Sequence, residues 1–295
     1  MVELAMVPEL TSPSSQKKFD RCRLLGQLQY IEHWEPREAE RSLPARLRGT
    51  AFSKACELIH KALVNKTPEL LDNLEFTCDV VEQAIGVFDR QYAYCEEKGV
   101  VFIPESDVLS RAELRRVIPL YAHHTPVRQW QAVTGAEVVW KEYGCRPDVV
   151  GINALGMNVV GDVKYKSALE SRYVSNTIEE FHWDPQFLQY NYALQQTLKT
   201  TAPVYSSLIL VVGSGFKIQQ IDWLYDPENV QLWLESAKDM SLVVRGIRDG
   251  TILPRAATTH KDNYGWCSMK DACLTYHLDP ELMKRKYVQL DELPE

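Results

Sequence analysis

The chain has 295 residues, of which 45% are hydrophobic and 25% charged, so it can bury a sizeable globular core. Its formal net charge of −7 excludes a protein that attracts polyanions through overall charge, so any such contact needs a local basic groove or bound cations. Residues 1–10 contain two glutamates and no basic leader, and no apolar run approaches the ~20 residues of a membrane span. We therefore expect a cytoplasmic protein that makes no membrane contact.

The N-terminal part of the chain, residues 1–120, is predicted to be mainly helical. Residues 12–33 place apolar side chains near helical spacing behind the N-cap candidate Ser12. Residues 35–44 are predicted to be a charged linker, and a second helix is predicted from just after Gly49 to residue 64. The apolar period continues over 68–97, which predicts more helix.

Short apolar runs bounded by turn residues follow. The runs at 136–143, 146–152 and 158–164 predict a three-stranded meander with turns at Gly144 and Gly156. A helix at 185–199, capped by Asp184, comes next. Two strands at 204–212 and 216–223, a helix at 227–250 and a short helix after Asp279 complete the chain. This order predicts an α/β fold with a mixed central sheet, in a single domain with its core at 136–223 and a C-terminal helix and tail at 227–295.

Three polar residues of this sheet carry the chemistry. Residues i and i+2 of a strand share a face, so Asp162 and Lys164 point the same way and Val163 points into the core. A hairpin can bring Asp148, on the preceding strand, opposite them. Two carboxylates can hold Mg²⁺, and an adjacent lysine can orient or deprotonate a water and offset charge on a phosphate. The pattern therefore indicates phosphodiester hydrolysis.

Residues 137–192 resemble the catalytic core of the PD-(D/E)XK nucleases, through Arg146-Pro147-Asp148 and Asp162-Val163-Lys164. They are most similar to the branch of RecB-type, CRISPR-associated and phage recombination exonucleases, in which a Gln-x-x-x-Tyr helix follows. Gln186 and Tyr190 match that motif and share a helical face, while Gln189 is the alternative glutamine. The resemblance implies an αβββαβ restriction-endonuclease-like core. Asp148, Asp162 and the Val163 carbonyl would bind Mg²⁺ or Mn²⁺.

The third metal ligand stays open. The segment from Gly49 to Ser53 resembles the start of a family helix whose histidine binds metal in many members, but here that position is Ser53. Glu57 and His60, one and two turns further on, are candidates to replace it. Glu137, expected at the start of the first strand, is another.

The cysteines raise the question of a second cofactor. Seven cysteines without a secretory leader favour thiols or metal ligands over disulfides. Many relatives bind a four-iron cluster through four cysteines. This chain offers Cys22, Cys267 and Cys273 but has Tyr264 at the remaining position, so we do not expect an iron–sulfur cluster.

The resemblance implies a metal-dependent DNA exonuclease of phage or bacterial recombination or repair, with DNA as its partner and a single-strand annealing or other recombination protein as a second candidate partner. Cations and aromatics in Lys164-Tyr165-Lys166 and Arg172-Tyr173 could grip the DNA strand. Two alternatives are a catalytically silent nucleic-acid-binding module and a site-specific or structure-specific endonuclease. Cleavage polarity, strand preference and oligomeric state stay open.

Overall fold

A computed structural model describes residues 11–37, 42–166, 178–182, 184–254, 261–262, 265–266, 269, 271–272 and 280–290. The α-helices are α1 (Pro13–Arg21), α2 (Arg23–Gly26), α3 (Ser42–Val64), α4 (Leu74–Glu97), α5 (Ser106–His124), α6 (Pro185–Leu198), α7 (Pro227–Arg248) and α8 (Pro280–Lys286). The strands are β1 (Trp34–Pro36), β2 (Ala132–Ala136), β3 (Val149–Ile152), β4 (Asn158–Lys166), β5 (Tyr205–Val212), β6 (Lys217–Leu224), β7 (Lys261–Asp262), β8 (Gly265–Trp266) and β9 (Tyr287–Gln289). A π-helical turn covers Gln27–Ile31, and 3₁₀ turns cover Pro68–Asp72, Pro126–Gln129 and Lys141–Tyr143.

The central sheet has five strands in the order β2-β3-β4-β5-β6. All neighbours are antiparallel except β4 and β5, which are parallel and connected through α6. Asp184 caps α6 by accepting a hydrogen bond from the Gln186 amide, and Pro185 occupies the first turn. The predicted mixed α/β sheet and its αβββαβ order are confirmed, and the first helix of that core is α3, which packs against the sheet.

The sheet is covered on both faces. Alternate residues of β4 point to opposite sides, so Val159 and Val163 face α3, α4 and α5, while Val160 faces α6. Asp162 and Lys164 share the parity of Val160. The two candidate catalytic residues of β4, Asp162 and Lys164, therefore lie on the face that α6 covers.

Two predicted helices have different bounds in the structure. The helix expected at 12–33 is interrupted at Cys22, whose extended backbone ends α1 and whose thiol accepts a hydrogen bond from the Leu25 amide at the start of α2. Helix α3 begins at Ser42 rather than after Gly49, so the predicted linker is wrong at residues 42–44, which are helical, and at residues 35–36, which belong to β1. Buried Leu43 and Leu47 extend the apolar stripe, and Pro44 is tolerated in a first turn.

The first strand was also placed wrongly. It covers Ala132–Ala136, whereas the apolar run at 136–143 leaves the sheet because Glu137 adopts a left-handed backbone conformation with φ of 50°. A bulge between Val133 and Gly135 precedes this turn. The side chain of Val139 is 56% exposed, and Lys141–Tyr143 form a 3₁₀ turn. The meander is present, but its first strand ends where the prediction begins it.

The short strands β1 and β9 pair antiparallel and join two distant parts of the chain. Tyr287 packs with Leu24, Leu28 and Met283, whereas Val288 packs into the large cluster around α3, α4 and α5. The sequence did not predict this pairing. No helix in the described part of the chain is long and apolar enough to cross a membrane.

Candidate active site

Asp148 and Asp162 meet where β3 begins. The pairing of Val149 with Gly161 puts Asp148 opposite Asp162, directly before β3 rather than within it. Oδ2 of Asp148 accepts a hydrogen bond of 2.6 Å from the Val163 amide. Because the N–H and C=O of one strand residue point to the same side, the Val163 carbonyl is also directed toward Asp148. The sequence-predicted pair of carboxylates and the carbonyl are thus brought together.

Asp162 is the most heavily contacted residue of this group. Its Oδ1 accepts a hydrogen bond of 2.6 Å from Gln186 Nε2, and the Tyr190 hydroxyl lies 3.4 Å from the same oxygen. The Tyr190 hydroxyl also donates to the Arg146 carbonyl oxygen at 3.0 Å. Gln186 and Tyr190 of α6 therefore hold Asp162 and the segment before Asp148 in one arrangement.

Lys164 balances the buried carboxylates. Its ammonium nitrogen lies 2.6 Å from Oδ2 of Asp162, at an angle outside that of a hydrogen bond. Burial alone would lower the pKa of Lys164, but the charges of Asp162 and Asp148 together raise it. Burial and the neighbouring charge of Asp162 raise the pKa of Asp148 well above its ordinary value. The site carries more negative charge than Lys164 alone offsets.

Glu137 approaches this pair from the turn that ends β2. Its Oε2 forms an ion pair with Arg146 Nε at a distance of 2.8 Å. Burial raises the pKa of Glu137, and the Arg146 guanidinium opposes that rise. The strained backbone conformation described above places this carboxylate beside the two aspartates rather than in the sheet.

The two candidates on α3 have other partners. Glu57 forms ion pairs with Lys54, at 2.8 Å, and with Lys61. His60 is fully buried, with Nδ1 3.2 Å from the Asp148 carbonyl oxygen and Nε2 3.0 Å from the Tyr121 hydroxyl. A carbonyl can only accept, so Nδ1 donates and Nε2 accepts from Tyr121. Both nitrogens of His60 are occupied, and the expectation that His60 is a metal ligand is corrected to a contact with the Asp148 backbone.

Gln189 has partners that the sequence did not reveal. It is fully buried, and its amide nitrogen donates to the carbonyl oxygens of Tyr143 and, at 3.2 Å, Thr11. Its Oε1 accepts from Gln16 of α1 at 3.1 Å. Gln189 therefore joins three segments around the site, while Gln186 is the glutamine that contacts Asp162.

Two cavities flank Arg146. The first, of about 500 Å³, is lined by Ser53, Lys54, Glu57, Glu137 and Arg146, together with Thr50, Val87, Arg90, Gln91 and Val139. The second, of about 440 Å³, is lined by Lys141, Arg146, Gln186 and Tyr190, together with Ser12, Val139, Trp140, Gly144 and Cys145. Arg146 and Val139 line both, so the two cavities adjoin and have cations along them.

The residues fit a divalent cation that takes few protein ligands. Among the described residues, no three His, Cys, Asp or Glu side chains are already arranged as a complete metal site. However, Oδ2 of Asp162 is buried with the Lys164 ammonium as its partner, and the buried carboxyl of Asp148 lies close enough for the charge of Asp162 to raise its pKa. Mg²⁺ is commonly bound by one or two carboxylates with substrate phosphates completing its shell. Asp148, Asp162 and the Val163 carbonyl are oxygen donors of that kind.

Some predicted contacts lie elsewhere. Tyr165 does not face the site but packs on Phe52, with ring centroids 4.7 Å apart and a buried hydroxyl, so its expected role in gripping DNA is wrong. Arg172, Tyr173, Tyr264, Cys267 and Cys273 lie outside the described residues. Sequence reasoning missed Lys17, which forms an ion pair with Asp184 at the start of α6. No local pattern links α1 with α6, so that contact had no signal in the sequence.

Comparison with known proteins agrees with the geometry. A family model described as the PD-(D/E)XK nuclease superfamily matches residues 10–274. No curated protein matches the chain. The crystal structure of a protein from Eubacterium rectale, described as a putative exonuclease, is similar with a TM-score of 0.47 and 13% identity, covering 92% of this chain and 90% of that one. Because the family model spans most of its length, the chain belongs to the PD-(D/E)XK nuclease superfamily.

Proposed function

We propose that the protein is a Mg²⁺- or Mn²⁺-dependent deoxyribonuclease that hydrolyses DNA phosphodiesters, acting as an exonuclease. The convergence of Asp148, Asp162 and Lys164 at the start of β3 carries this proposal. Membership of a nuclease superfamily supports hydrolytic chemistry. Because Asp148, Asp162 and Lys164 are all present and lie together, we argue against a catalytically silent binding module.

Asp148, Asp162 and the Val163 carbonyl would hold the cation, and Glu137 is our candidate for an additional carboxylate. When bound, a divalent ion supplies a Lewis acid that polarises a phosphate oxygen. Glu57 lies further out, between two lysines, and we assign it to the electrostatics of the first cavity. His60 positions Asp148 through its backbone carbonyl.

Lys164 projects from the same face of β4 as Asp162, beside the place where a scissile phosphate would lie. As an ammonium it donates hydrogen bonds to a phosphate oxygen or a water and offsets developing negative charge. Gln186 and Tyr190 keep Asp162 oriented, because both contact its Oδ1. Fixed geometry of this kind reduces the reorganisation that the reaction requires.

The exonuclease assignment rests on Gln186 and Tyr190, which resemble the Gln-x-x-x-Tyr motif of the exonuclease branch. The proposal includes a role in phage or bacterial recombination or repair. A site-specific or structure-specific endonuclease is the alternative, since the same core supports both. A single-strand annealing or other recombination protein remains our candidate partner.

The experiment compares end-labelled linear DNA with covalently closed circular DNA, with Mg²⁺, with Mn²⁺ and with chelator. We expect the wild type to degrade linear DNA only when a divalent ion is present and to leave circles intact. Asp162→Asn and Lys164→Ala should each lower the rate at least ~100-fold, the usual scale for a displaced catalytic group.

Matched controls are available on β6, where Asp222 and Lys217 are exposed. Asp222→Asn and Lys217→Ala change the same charges outside the site and should retain full activity. A wild type without turnover, or site variants as active as these controls, would contradict the proposed function. Cleavage of circles would instead select the endonuclease.

A further inference from the structure

A third cavity lies beside the two that flank Arg146. It has a volume of about 290 Å³ and lies between the start of α1 and the end of α7. Its lining combines guanidinium and hydroxyl groups on one wall with an aromatic ring and a valine: Thr11, Ser12, Ser15, Tyr30, Ser241, Val244, Arg245 and Arg248. None of the described residues that line it is a carboxylate. Its chemistry suits an anion that accepts several hydrogen bonds.

Two features of this cavity leave its positive charge available to bind an anion. Arg245 and Arg248 are exposed, and neither guanidinium group forms an ion pair or hydrogen bond with any residue that the structure describes. The N-terminus of the nine-residue helix α1 opens at Ser12, which adds partial positive charge to that of the arginines. Hydrogen bonds from Thr11 to Ser241 Oγ, at 2.8 and 3.0 Å, hold the two walls together.

The third cavity adjoins the second one, which lies beside the active site. Ser12 lines both this cavity and the second one, where Gln186 and Tyr190 contact Asp162. Arg146 then connects the second cavity to the first. A polymer seated at Asp162 can thus extend past Lys141 and Ser12 to reach the two arginines. A mononucleotide at the active site would leave them uncontacted.

We propose that Arg245 and Arg248 form a remote subsite for the phosphate backbone of the DNA strand that occupies the active site. This inference rests on the proposed nuclease function and deepens it, because it makes turnover depend on substrate length. The chain is acidic overall, so local arginines are needed to hold a polyanion along this face. Short strands would bind through the active site alone.

The test measures kcat/KM on 5′-labelled single strands of about 4 and about 30 nucleotides, a range that brackets typical single-strand site sizes. Arg245→Ala/Arg248→Ala should lower kcat/KM about tenfold or more on the long strand and leave the short strand unchanged. The salt dependence of long-strand binding, measured in an Asp162→Asn background, should lose roughly 1.4 in log–log slope, the contribution of two phosphate contacts. Arg245→Lys/Arg248→Lys keeps the charge and should retain most of the wild-type kcat/KM on the long strand and most of the wild-type salt slope.

Arg115→Ala/Lys284→Ala removes two exposed cations that line none of the three cavities, and it should behave like the wild type. Wild type without activity on either single strand or on linear duplex DNA would contradict the nuclease function itself. If the wild type is active and the alanine pair keeps the wild-type kcat/KM on both strands, or loses it by the same factor on both, the remote subsite would be overturned. Inhibition of short-strand cleavage by inorganic phosphate that depends on these arginines would also overturn it, because it would indicate a site for free anions.

Discussion

At the scale of single residues, the site is built from buried charges that need fixed partners. Asp162 accepts a hydrogen bond from Gln186, contacts the Tyr190 hydroxyl and forms an ion pair with Lys164. Asp148 is held by the Val163 amide and, through its backbone, by His60. Burying His60 has an energetic consequence, because burial lowers its pKa from 6.5 to about 4. The folded state therefore keeps the imidazole neutral where the unfolded chain would protonate it.

This difference predicts acid sensitivity. A base with a lowered folded pKa contributes stability that is fully present above 6.5 and is lost as the pH falls toward about 4. Between pH 7 and pH 5 the wild type should lose roughly 2 kcal/mol through His60, at ~1.4 kcal/mol for each pKa unit. The neighbouring Tyr121 and Cys56 have raised pKa values and stay neutral in this range. Urea unfolding of wild type and His60→Gln with chelator present measures the loss as the difference between their pH dependences, because the raised pKa values of Asp148 and Glu137 add stability as the pH falls.

His60→Gln should reduce the pH dependence, although it also lowers stability at pH 7 because the hydrogen bonds to Tyr121 and Asp148 change. His123→Gln is the control, since His123 is exposed on the surface and should leave the pH dependence of the wild type. Equal slopes for wild type and His60→Gln would show that His60 does not titrate in this way.

At the scale of elements, the strands and helices that follow local rules were predictable and those that depend on distant pairing were not. Helix α6 was predicted within one residue because Asp184 and Pro185 mark its start and the apolar period marks its length. Helix α3 was begun too late, because Gly49 was taken as a boundary although nothing in the fold prevents glycine within an exposed helical turn. The strand β2 was displaced because Glu137 breaks the extended backbone without glycine or proline.

The site residues also divide into those whose arrangement follows local periodicity and those whose partners are distant in the sequence. The strand period aligns Asp162 with Lys164 and the helix period aligns Gln186 with Tyr190. The roles of these four residues and of Asp148 follow from the resemblance to the PD-(D/E)XK motifs and stay predictions. The partners of His60 and Gln189 were not predictable because they lie 46 to 178 positions away, and those of Glu57 were not because nearby lysines compete for its carboxylate. The subsite of Arg245 and Arg248 likewise depends on how α1 packs against α7.

The pairing of β1 with β9 gives a prediction at this scale. Leu290, which follows β9, is 4% exposed within the large cluster, and its amide donates to the His33 carbonyl oxygen at 2.8 Å. Leu290→Ala should lower the free energy of unfolding by about 2–5 kcal/mol, the usual range for a buried leucine. Gln289→Ala, an exposed neighbour, should change it by less than ~1 kcal/mol. Equal effects in urea unfolding would mean that this C-terminal strand is not part of the packed structure.

At the scale of the whole molecule, one hydrophobic cluster connects parts of the chain that the sequence pattern separates. It contains Ile118 of α5, Val163 and Ile209 of the sheet, and Val288 of β9, with the faces of α3 and α4 between them. The helical N-terminal part therefore shares its core with the sheet that carries the site. Shared burial of this kind couples the unfolding of one part to that of the other.

The single-domain prediction can thus be tested by unfolding. Far-UV circular dichroism reports mainly the N-terminal helices, whereas tryptophan fluorescence is dominated by residues on and near the sheet, such as Trp130, Trp140 and Trp223. The two urea transitions should coincide. Ile118→Val and Ile209→Val, at fully buried positions in the two parts, should each shift both transitions together by ~0.5–1.5 kcal/mol. If Ile118→Val moved only the helical signal and Ile209→Val only the fluorescence, the two parts would be independent domains, and the cation site would have to be stable without the helices that pack behind it.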